Sequence, residues 1–252
     1  SLATRAIVSV RIATEEEKSQ RAFSAAEAGI EETLRNCTTG SCVAAQPPAG
    51  GFAANKTTFE VTVNQVSGRE LLYLNTGQDE GTQVWLSPYN ASSGTFTGDV
   101  TVYWGTTGSC PAVAAVEAIV MSGSKTSPTL TRQALDPCSR GNGFQFVSDS
   151  PASVKGVAFR TKSVISVSNA LIMRITPLYG ASSIGVTSVV DLPAQGYEIT
   201  SVGKTCSASS EICIVESNPV ARKVRVFNSY PNLPAALFNY TLISGGSSGL
   251  SQ

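Results

Sequence analysis

The chain has 252 residues, enough for one large domain or two small domains with a core of their own. Charged residues make up 14% of it, well below the roughly 25% of ordinary soluble proteins, and 18 basic residues balance 18 acidic ones. The absence of histidine excludes Ser-His-Asp and Cys-His catalysis and histidine-containing metal sites, and the balanced charge argues against nucleic acid as a partner. The sequence therefore predicts no catalytic residues, no metal ligands and no cofactor.

Residues 1–36 have the periodicity of one long helix with apolar side chains on two flanks. The first flank is short and is made of Leu2, Ala3, Ala6, Ile7, Val10 and Ala13. The opposite flank continues along most of the helix and is made of Val8, Ile12, Phe23, Ala26, Ile30 and Leu34. A helix that is apolar on two sides at its start and on one side later is expected to have two partners. We predict that the first flank contacts other subunits in a filament and that the second packs on the globular head.

A second interpretation of the start of the chain remains open. Thr14 followed by three glutamates is a capping box with acidic residues in the first turn, which marks the start of many helices. Four residues between positions 7 and 12 are β-branched. Residues 4–13 could therefore form a strand, with the helix beginning at Thr14.

Beyond residue 36 the sequence changes to strand patterns separated by turn residues. Phe59, Val61 and Val63 alternate with polar residues, as in a half-buried strand. Similar patterns recur almost to the end of the chain, and residues 111–121 fit either a helix or a strand. This spacing is typical of β-sandwiches and meanders.

A cluster of turn-forming residues at 140–143 indicates a boundary within the β-rich part. We therefore predict a helix over residues 1–36, a first β-rich unit over 37–142 and a second over 143–252. The predicted fold class is α+β: a long N-terminal helix followed by a mainly antiparallel β head, built as one large or two small β-sandwich or meander units.

The six cysteines fall in three pairs of neighbours: Cys37 with Cys42, Cys110 with Cys138, and Cys206 with Cys213. An even number of cysteines in a Ser/Thr-rich chain of low charge favours disulfides and an oxidising compartment. Pairing between neighbours is the simplest connectivity, and six cysteines permit others. We expect the protein to be extracellular.

Three short motifs invite a chemical interpretation, and each has a simpler structural one. Gly203-Lys204-Thr205 lacks the glycine spacing of a phosphate-binding loop and fits the end of a strand. Asp79 and Glu80 provide too few oxygens for calcium and fit a solvated turn. The basic cluster Arg222, Lys223 and Arg225 has no interleaved aromatic residues, so it fits a solvated strand face better than a nucleic-acid platform.

Aromatic residues suggest one binding site. A glycan-binding groove could be lined by Trp85, Tyr89, Tyr103 and Trp104. Aromatic side chains in strands are more often explained by core and cross-strand packing. The glycan-binding interpretation therefore stays an alternative.

The run Ala22–Glu32, near the end of a long amphipathic helix at the start of the chain, resembles type IV pilin-like proteins of the minor-pilin (PilX-like) kind. The segments Gly196–Gly203 and Ala221–Val226 are similar to the paired strands near the end of such chains. The stretch from about residue 40 to 190 contributes nothing to the resemblance. In that family the helix begins with an apolar segment of roughly 20 residues, long enough to span a bilayer. This sequence lacks it, so membrane contact is expected only through a segment absent from the chain.

The resemblance implies a structural subunit and not an enzyme. Such a subunit assembles through its helix with its own copies or with other pilins, forming a type IV pilus-like filament on the cell surface. The alternative is an adhesin or glycan-binding module with a surface receptor or glycan as its partner. A hydrolase that uses two carboxylates is the remaining enzymatic alternative.

Overall fold

The computed structural model of the chain describes residues 2–38, 40–49, 51–89, 94–105, 108–124, 126–209 and 212–239, and their side chains except those of residues 2–10, 208, 209, 212 and 239. Strands hold 54% of the chain and helices 15%. The predicted α+β class, a long helix leading a β head, is therefore wrong, and the chain is a β-rich fold. The error arises because the strand patterns indicated short strands, whereas strands of up to 18 residues join large sheets.

The helices are α1 (Leu2–Asn36), a short 3-10 helix (Ala53–Asn55) and α2 (Ala235–Asn239). The strands are β1 (Thr57–Gln65), β2 (Gly68–Thr76), β3 (Thr82–Trp85), β4 (Phe96–Trp104), β5 (Ala115–Ser124), β6 (Ser127–Asp136), β7 (Gln145–Phe146), β8 (Ala152–Val154), β9 (Val157–Phe159), β10 (Thr161–Leu178), β11 (Ser182–Leu192), β12 (Gly196–Ser209), β13 (Ile212–Val215) and β14 (Ala221–Ser229). Residues 4–13 are helical, so the strand alternative for them is wrong.

The chain forms two compact units, and each is built from two separate stretches. Unit 1 holds residues 1–66 and 196–230, and unit 2 holds residues 67–195 and 231–252. The predicted boundary after residue 142 falls inside unit 2. The reason is that β10, which follows that boundary, pairs with β4 and β5, which precede it.

Unit 1 is a four-stranded antiparallel sheet with α1 packed on one face. Strand β12 lies in its centre and pairs with β1 and β14 along most of its length and with β13 near its end. Side chains of β12 alternate between the two faces, as the pleat of a strand requires. Ile199, Ser201 and Gly203 face the helix and are buried, while the even-numbered residues between them are half-exposed.

Unit 2 is built around an eight-stranded sheet in the order β2-β11-β4-β10-β5-β6-β7, with β3 also paired to β10. All pairs are antiparallel except β6 with β7, and β8 and β9 form a separate hairpin. Strand β10 changes partner at an irregularity between Val167 and Ala170, from β4 to β3 on one side of the strand. Its core holds Trp104, Met173, Ile175 and Ile184, all fully buried. The ambiguous segment 111–121 supplies most of β5, a strand.

Disulfides join Cys37 to Cys42, Cys110 to Cys138 and Cys206 to Cys213, the neighbours along the sequence. Such bonds persist in oxidising compartments. They are compatible with a secreted or extracellular protein. In the part of the chain that the structure describes, no helix combines the length and apolar character needed to cross a membrane.

Candidate functional site

The face of α1 that packs on the sheet consists mainly of small residues. Its buried members recur every three or four positions and are Ala22, Ala25, Ala26, Gly29, Ile30 and Thr33. Three to four residues make one helical turn, so these residues form a single stripe on the second half of α1.

Small residues are needed here because the backbones of α1 and β12 approach each other closely. A methyl group added at Gly203 would lie 2.7 Å from the amide nitrogen of Ala26 and would overlap the carbonyl oxygen of Ala22. A methyl group added at Gly29 would lie 3.0 Å from the side chain of Phe59 and would overlap the hydroxyl of Ser201. A larger side chain at Gly203 would therefore move the helix from the sheet, and one at Gly29 would displace the side chains of Ser201 and Phe59.

Thr33 ends this contact face and ties α1 to the loop that follows it. Its hydroxyl donates a hydrogen bond to the carbonyl oxygen of Gly29 at 2.7 Å and accepts one from the amide of Ala45 at 3.1 Å. Thr33 is fully buried. The helix is therefore anchored at its last turns as well as along the small-residue stripe.

The predicted helix-to-head flank is only partly the contact face. Ala26 and Ile30 are buried, whereas Ile12, Phe23 and Leu34 are 61%, 45% and 38% exposed. The side chain of Val8, also in the predicted set, lies outside the described residues. Hydrophobic periodicity gives most weight to large side chains, but the close approach of α1 to β12 selects small ones. The contact face is therefore rotated towards Ala22, Ala25, Gly29 and Thr33. The sequence signal for this face was the recurrence of small residues every three or four positions.

The three exposed residues of that flank form one line along the helix. Ile12, Phe23 and Leu34 are spaced by eleven residues, which is close to three full helical turns. They therefore lie one above another on a flank that the sheet leaves uncovered, and we call this set the helix ridge.

The predicted filament interface lies mostly outside the described side chains. Ala13 is exposed, and the other members of the set, Leu2, Ala3, Ala6, Ile7 and Val10, belong to the part of α1 whose side chains are not described. Every residue from 11 to 17 is exposed. This stretch of α1 precedes the contact face and has no cover from the described part of unit 1.

Polar contacts hold the middle of α1 to unit 1. The ammonium group of Lys18 lies 3.8 Å from the carboxylate of Glu216. The guanidinium of Arg222 donates a hydrogen bond to the hydroxyl of Ser19 at 2.8 Å. These contacts come just before the small-residue stripe begins at Ala22, so the helix meets the sheet from about residue 18 onwards.

The four aromatic residues of the predicted glycan groove do not come together. Trp104 is fully buried, and its indole nitrogen donates a hydrogen bond to the carbonyl oxygen of Ala114 at 3.1 Å. The hydroxyl of Tyr103 pairs with that of Thr187 at 3.2 Å. Only Trp85 and Tyr89 adjoin, edge to face with ring centres 4.8 Å apart.

Trp85 and Tyr89 line a groove of about 410 Å³ in unit 2. The rest of its lining is Ser87, Pro88, Met121, Pro128, Leu171, Ile172, Leu233 and Leu237. Volume and apolar character fit a binding groove for a small apolar group. A sugar would find few hydrogen-bonding side chains among these residues.

The remaining sequence motifs have structural roles. Gly203 lies inside β12 and not at a strand end, and its lack of a side chain accommodates α1. The carboxylate of Glu80 accepts a hydrogen bond from the amide of Gly77 at 3.2 Å, as expected for a turn. Lys223 and Arg225 are exposed on β14.

The turn cluster that suggested a domain boundary binds a buried carboxylate instead. Asp136 is 1% exposed and forms an ion pair with Arg140. It also accepts hydrogen bonds from the side chain of Asn142 at 2.7 Å and from the amide of Cys138 at 2.8 Å. The guanidinium of Arg140 lies 4.8 Å from the centre of the Tyr179 ring. Sequence reasoning missed this cluster, although the spacing of Asp136, Arg140 and Asn142 contains a possible i, i+4 pair.

Comparisons with known proteins identify no family. No protein-family model and no curated protein matches the sequence. The chain is similar to a solved structure described as "AvmM Catalyzes Macrocyclization in Alchivemycin A Biosynthesis", with 12% identity, 71% of this chain and 92% of that chain covered, and a TM-score of 0.16. A likeness at that TM-score carries no argument about fold or function.

Proposed function

We propose that this protein is a non-enzymatic structural subunit of a type IV pilus-like surface filament. Subunits assemble through α1 and display the β-rich remainder of the chain outside the cell. The observation that carries the proposal is the exposed stretch of α1 from residue 11 to 17, followed by the helix ridge. A helix with apolar side chains outside its own contact face is suited to pack against a second helix.

The helix ridge supplies the apolar part of such a contact. Ile12, Phe23 and Leu34 are large side chains whose burial contributes about 25 cal/mol per Å² of apolar surface. An eleven-residue spacing is a regular repeat for helix-to-helix packing. Identical helices in a filament would repeat this contact at every subunit, so a modest area per contact is sufficient.

Charges on the exposed part of α1 supply the specificity. Glu15, Glu16 and Glu17 form an acidic block, and Arg11 and Arg21 lie one to two turns on either side of it. All five side chains are exposed or half-exposed. Neighbouring helices shifted along their axes can bring the acidic block of one beside a basic residue of the other. Opposite charges across an interface select register and partner more than they add affinity.

The disulfides are consistent with a position outside the cell. Each of the two units contains at least one, with Cys206–Cys213 in unit 1 and Cys110–Cys138 in unit 2. A subunit displayed on a surface filament must stay folded outside the cell, where no intracellular chaperones are present, and disulfides stabilise the folded state.

Aspartate substitutions on the helix ridge test the proposal. We expect Ile12→Asp combined with Phe23→Asp to abolish filaments in electron micrographs of the producing cells. Because both side chains are exposed, the free energy of unfolding of the purified protein should change by no more than about 0.5 kcal/mol. Val189→Asp, at a 75% exposed residue of unit 2, is the matched control and should leave filaments intact. Normal filaments in the double variant would rule out assembly through the helix ridge.

A binding module is the second candidate, and the groove beside Trp85 and Tyr89 favours it. Aromatic pairs of this kind supply large contact areas to ligands. Glycan and peptide arrays probed with the intact protein and with Tyr89→Ala test this function. Trp104→Ala is unsuitable as a control because Trp104 belongs to the core. Binding that disappears in Tyr89→Ala would favour the binding module, and the absence of any bound ligand would remove its support.

A further inference from the structure

The sheet of unit 1 has one edge that is protected against pairing and one that is not. β14 carries three basic residues, Arg222, Lys223 and Arg225, along nine positions. β1 carries a single charged residue, Glu60, and five of its nine residues are Thr or Val. Charged side chains on edge strands prevent pairing with other chains, whereas β-branched residues without charge favour it. The edge at β1 is therefore the one suited to add another strand.

The hydrogen bonds to β12 determine which backbone groups of β1 are available. The amide of Val66 donates to the carbonyl oxygen of Gly196 at 3.0 Å, and the amide of Cys206 donates to that of Lys56 at 2.8 Å. Backbone groups alternate between the two sides of an antiparallel strand. The even-numbered residues of β1 therefore bond to β12, and the odd-numbered residues Phe59, Val61, Val63 and Gln65 direct their amides and carbonyls outward.

These outward groups have no backbone partner in the described part of the chain. Thr57, at the start of the strand, is already paired with Phe52 in both directions, at 2.8 and 3.3 Å. The free stretch of the edge therefore runs from Phe59 to Gln65 and is centred on Thr62. The adjacent side chains are accessible, since Glu60, Thr62 and Asn64 are exposed and Val61 and Val63 are half-exposed.

From these features we infer that two copies of the chain pair through β1, antiparallel about a twofold axis at Thr62. In that register Val61 bonds to Val63 of the second copy, and Phe59 bonds to Gln65 of the second copy. Each of these pairs can exchange two backbone hydrogen bonds, because all its members direct their polar groups outward. The twofold arrangement uses the same patch on both copies and closes on itself.

Backbone hydrogen bonds and side chains both favour this register. It pairs all four outward residues, whereas an axis at Val61 would set Gln65 against Thr57, which is already paired. Glu60 lies opposite Asn64 of the second copy, at a non-hydrogen-bonded position where side chains are closest. An axis at Glu60 would bring the two Glu60 carboxylates opposite each other, which is destabilising. Lys204 donates to Glu60 at 2.8 Å and lowers the pKa of that carboxyl, so Glu60 remains ionised at neutral pH.

The backbone of β1 makes the two-copy contact, whereas the helix ridge makes the proposed filament contact. Strand addition at β1 is therefore a second way for subunits to associate. Variants of the helix ridge and variants of β1 therefore test different interfaces, and Ile12→Asp combined with Phe23→Asp should leave this dimer unchanged.

Two substitutions at one exposed residue give a signed test. Asn64→Glu places a second carboxylate opposite Glu60 of the other copy, and we expect the dimer dissociation constant to rise about tenfold or more in sedimentation velocity experiments. Asn64→Lys places an ammonium group there, and we expect the dissociation constant to fall or to stay unchanged. Thermal unfolding of both variants controls for folding.

Other outcomes overturn the inference. Equal weakening by Asn64→Glu and Asn64→Lys would exclude the register centred on Thr62, because that register predicts opposite signs. A chain that stays monomeric up to its solubility limit would exclude the edge contact altogether. Retention of the dimer in Val61→Pro, which removes an outward amide next to the axis, would do the same.

Discussion

The side-chain amide of Gln83 pairs on both sides with the backbone of Leu233. Its nitrogen donates to the carbonyl oxygen of Leu233 at 2.6 Å, and the amide of Leu233 donates to its oxygen at 2.8 Å. Gln195 forms the same double contact with the backbone of Trp85, at 2.8 and 2.9 Å. Gln83 and Trp85 both belong to β3. The side chain of Gln195 takes the place of a neighbouring strand at Trp85, whereas the side chain of Gln83 binds the segment at Leu233. They hold the two points of unit 2 where the chain leaves for unit 1 and where it has returned.

Gln83→Leu should weaken this attachment. The substitution removes both hydrogen bonds and leaves the amide and carbonyl of Leu233 without partners, at a cost of about 2 kcal/mol. We expect a lower denaturant midpoint and faster hydrogen exchange in residues 231–239. Gln145→Leu, at an exposed residue of β7, is the control and should change neither. Unchanged exchange in Gln83→Leu would mean that the contact adds nothing to the attachment.

Gly203→Ala should destabilise unit 1. The added methyl group would meet the backbone of α1 at Ala22 and Ala26, and rigid backbone cannot move aside cheaply. Overpacking of this kind costs about 1–3 kcal/mol. The measurement is the free energy of unfolding from urea titration. Gly180→Ala is the matched control, because a methyl group there meets only the carbonyl oxygen of Ala112 at 3.8 Å. Equal stability of the two variants would contradict the close contact of α1 with β12.

How much of this could be predicted from the sequence depends on the distance between the residues involved. The helix over residues 2–36 and the alternation of Phe59, Val61 and Val63 are local patterns, and both are present in the structure. The joined cysteines are neighbours along the chain. Local patterns, however, underestimated the share of strand, and the fold class predicted from them was wrong.

Most non-local contacts were beyond reach, although the pairing of 196–203 with 221–226, expected from the resemblance, is present as β12 with β14. In unit 1, Phe59 of β1 pairs with Gly203 of β12. Neither segment has a sequence pattern that identifies the other as its pairing partner. The contact face of α1 depends on the same pairing, since only the position of Gly203 under the helix explains why Ala22 and Gly29 are buried while Phe23 is not. Reasoning from a single sequence assigns large apolar residues to the core, whereas in this contact the small residues are buried.

Asp136→Asn should lower the free energy of unfolding by more than the loss of any surface ion pair would. The carboxylate is almost fully buried and neutralises Arg140, whose side chain is 14% exposed. Removing one partner of a buried ion pair costs about 3–5 kcal/mol, because the other charge stays buried. Asp149→Asn is the matched control. It breaks the pair with Arg160, but the carboxylate of Asp149 is 49% exposed, so little change in unfolding is expected. Similar losses in both variants would contradict the special role of Asp136.

Alkaline pH should weaken unit 1 through Tyr230. Its ring lies edge to face against that of Tyr197, with centres 5.8 Å apart, and burial together with a hydrogen bond to Tyr197 raises the pKa of its phenol to about 12. An unfolded tyrosine has a pKa near 10. The folded state therefore holds this proton more tightly, and its contribution to stability is complete below about pH 10 and is lost as the pH rises towards 12. We expect the free energy of unfolding to fall across this range and to fall less steeply in Tyr230→Phe. Burial also raises the pKa of Tyr73 in unit 2, so part of the slope should remain in that variant. Tyrosinate absorbance, measured in parallel, should show that the buried phenols ionise only when the protein unfolds. The assignment would be contradicted if the free energy of unfolding fell equally steeply with pH in the intact chain and in Tyr230→Phe.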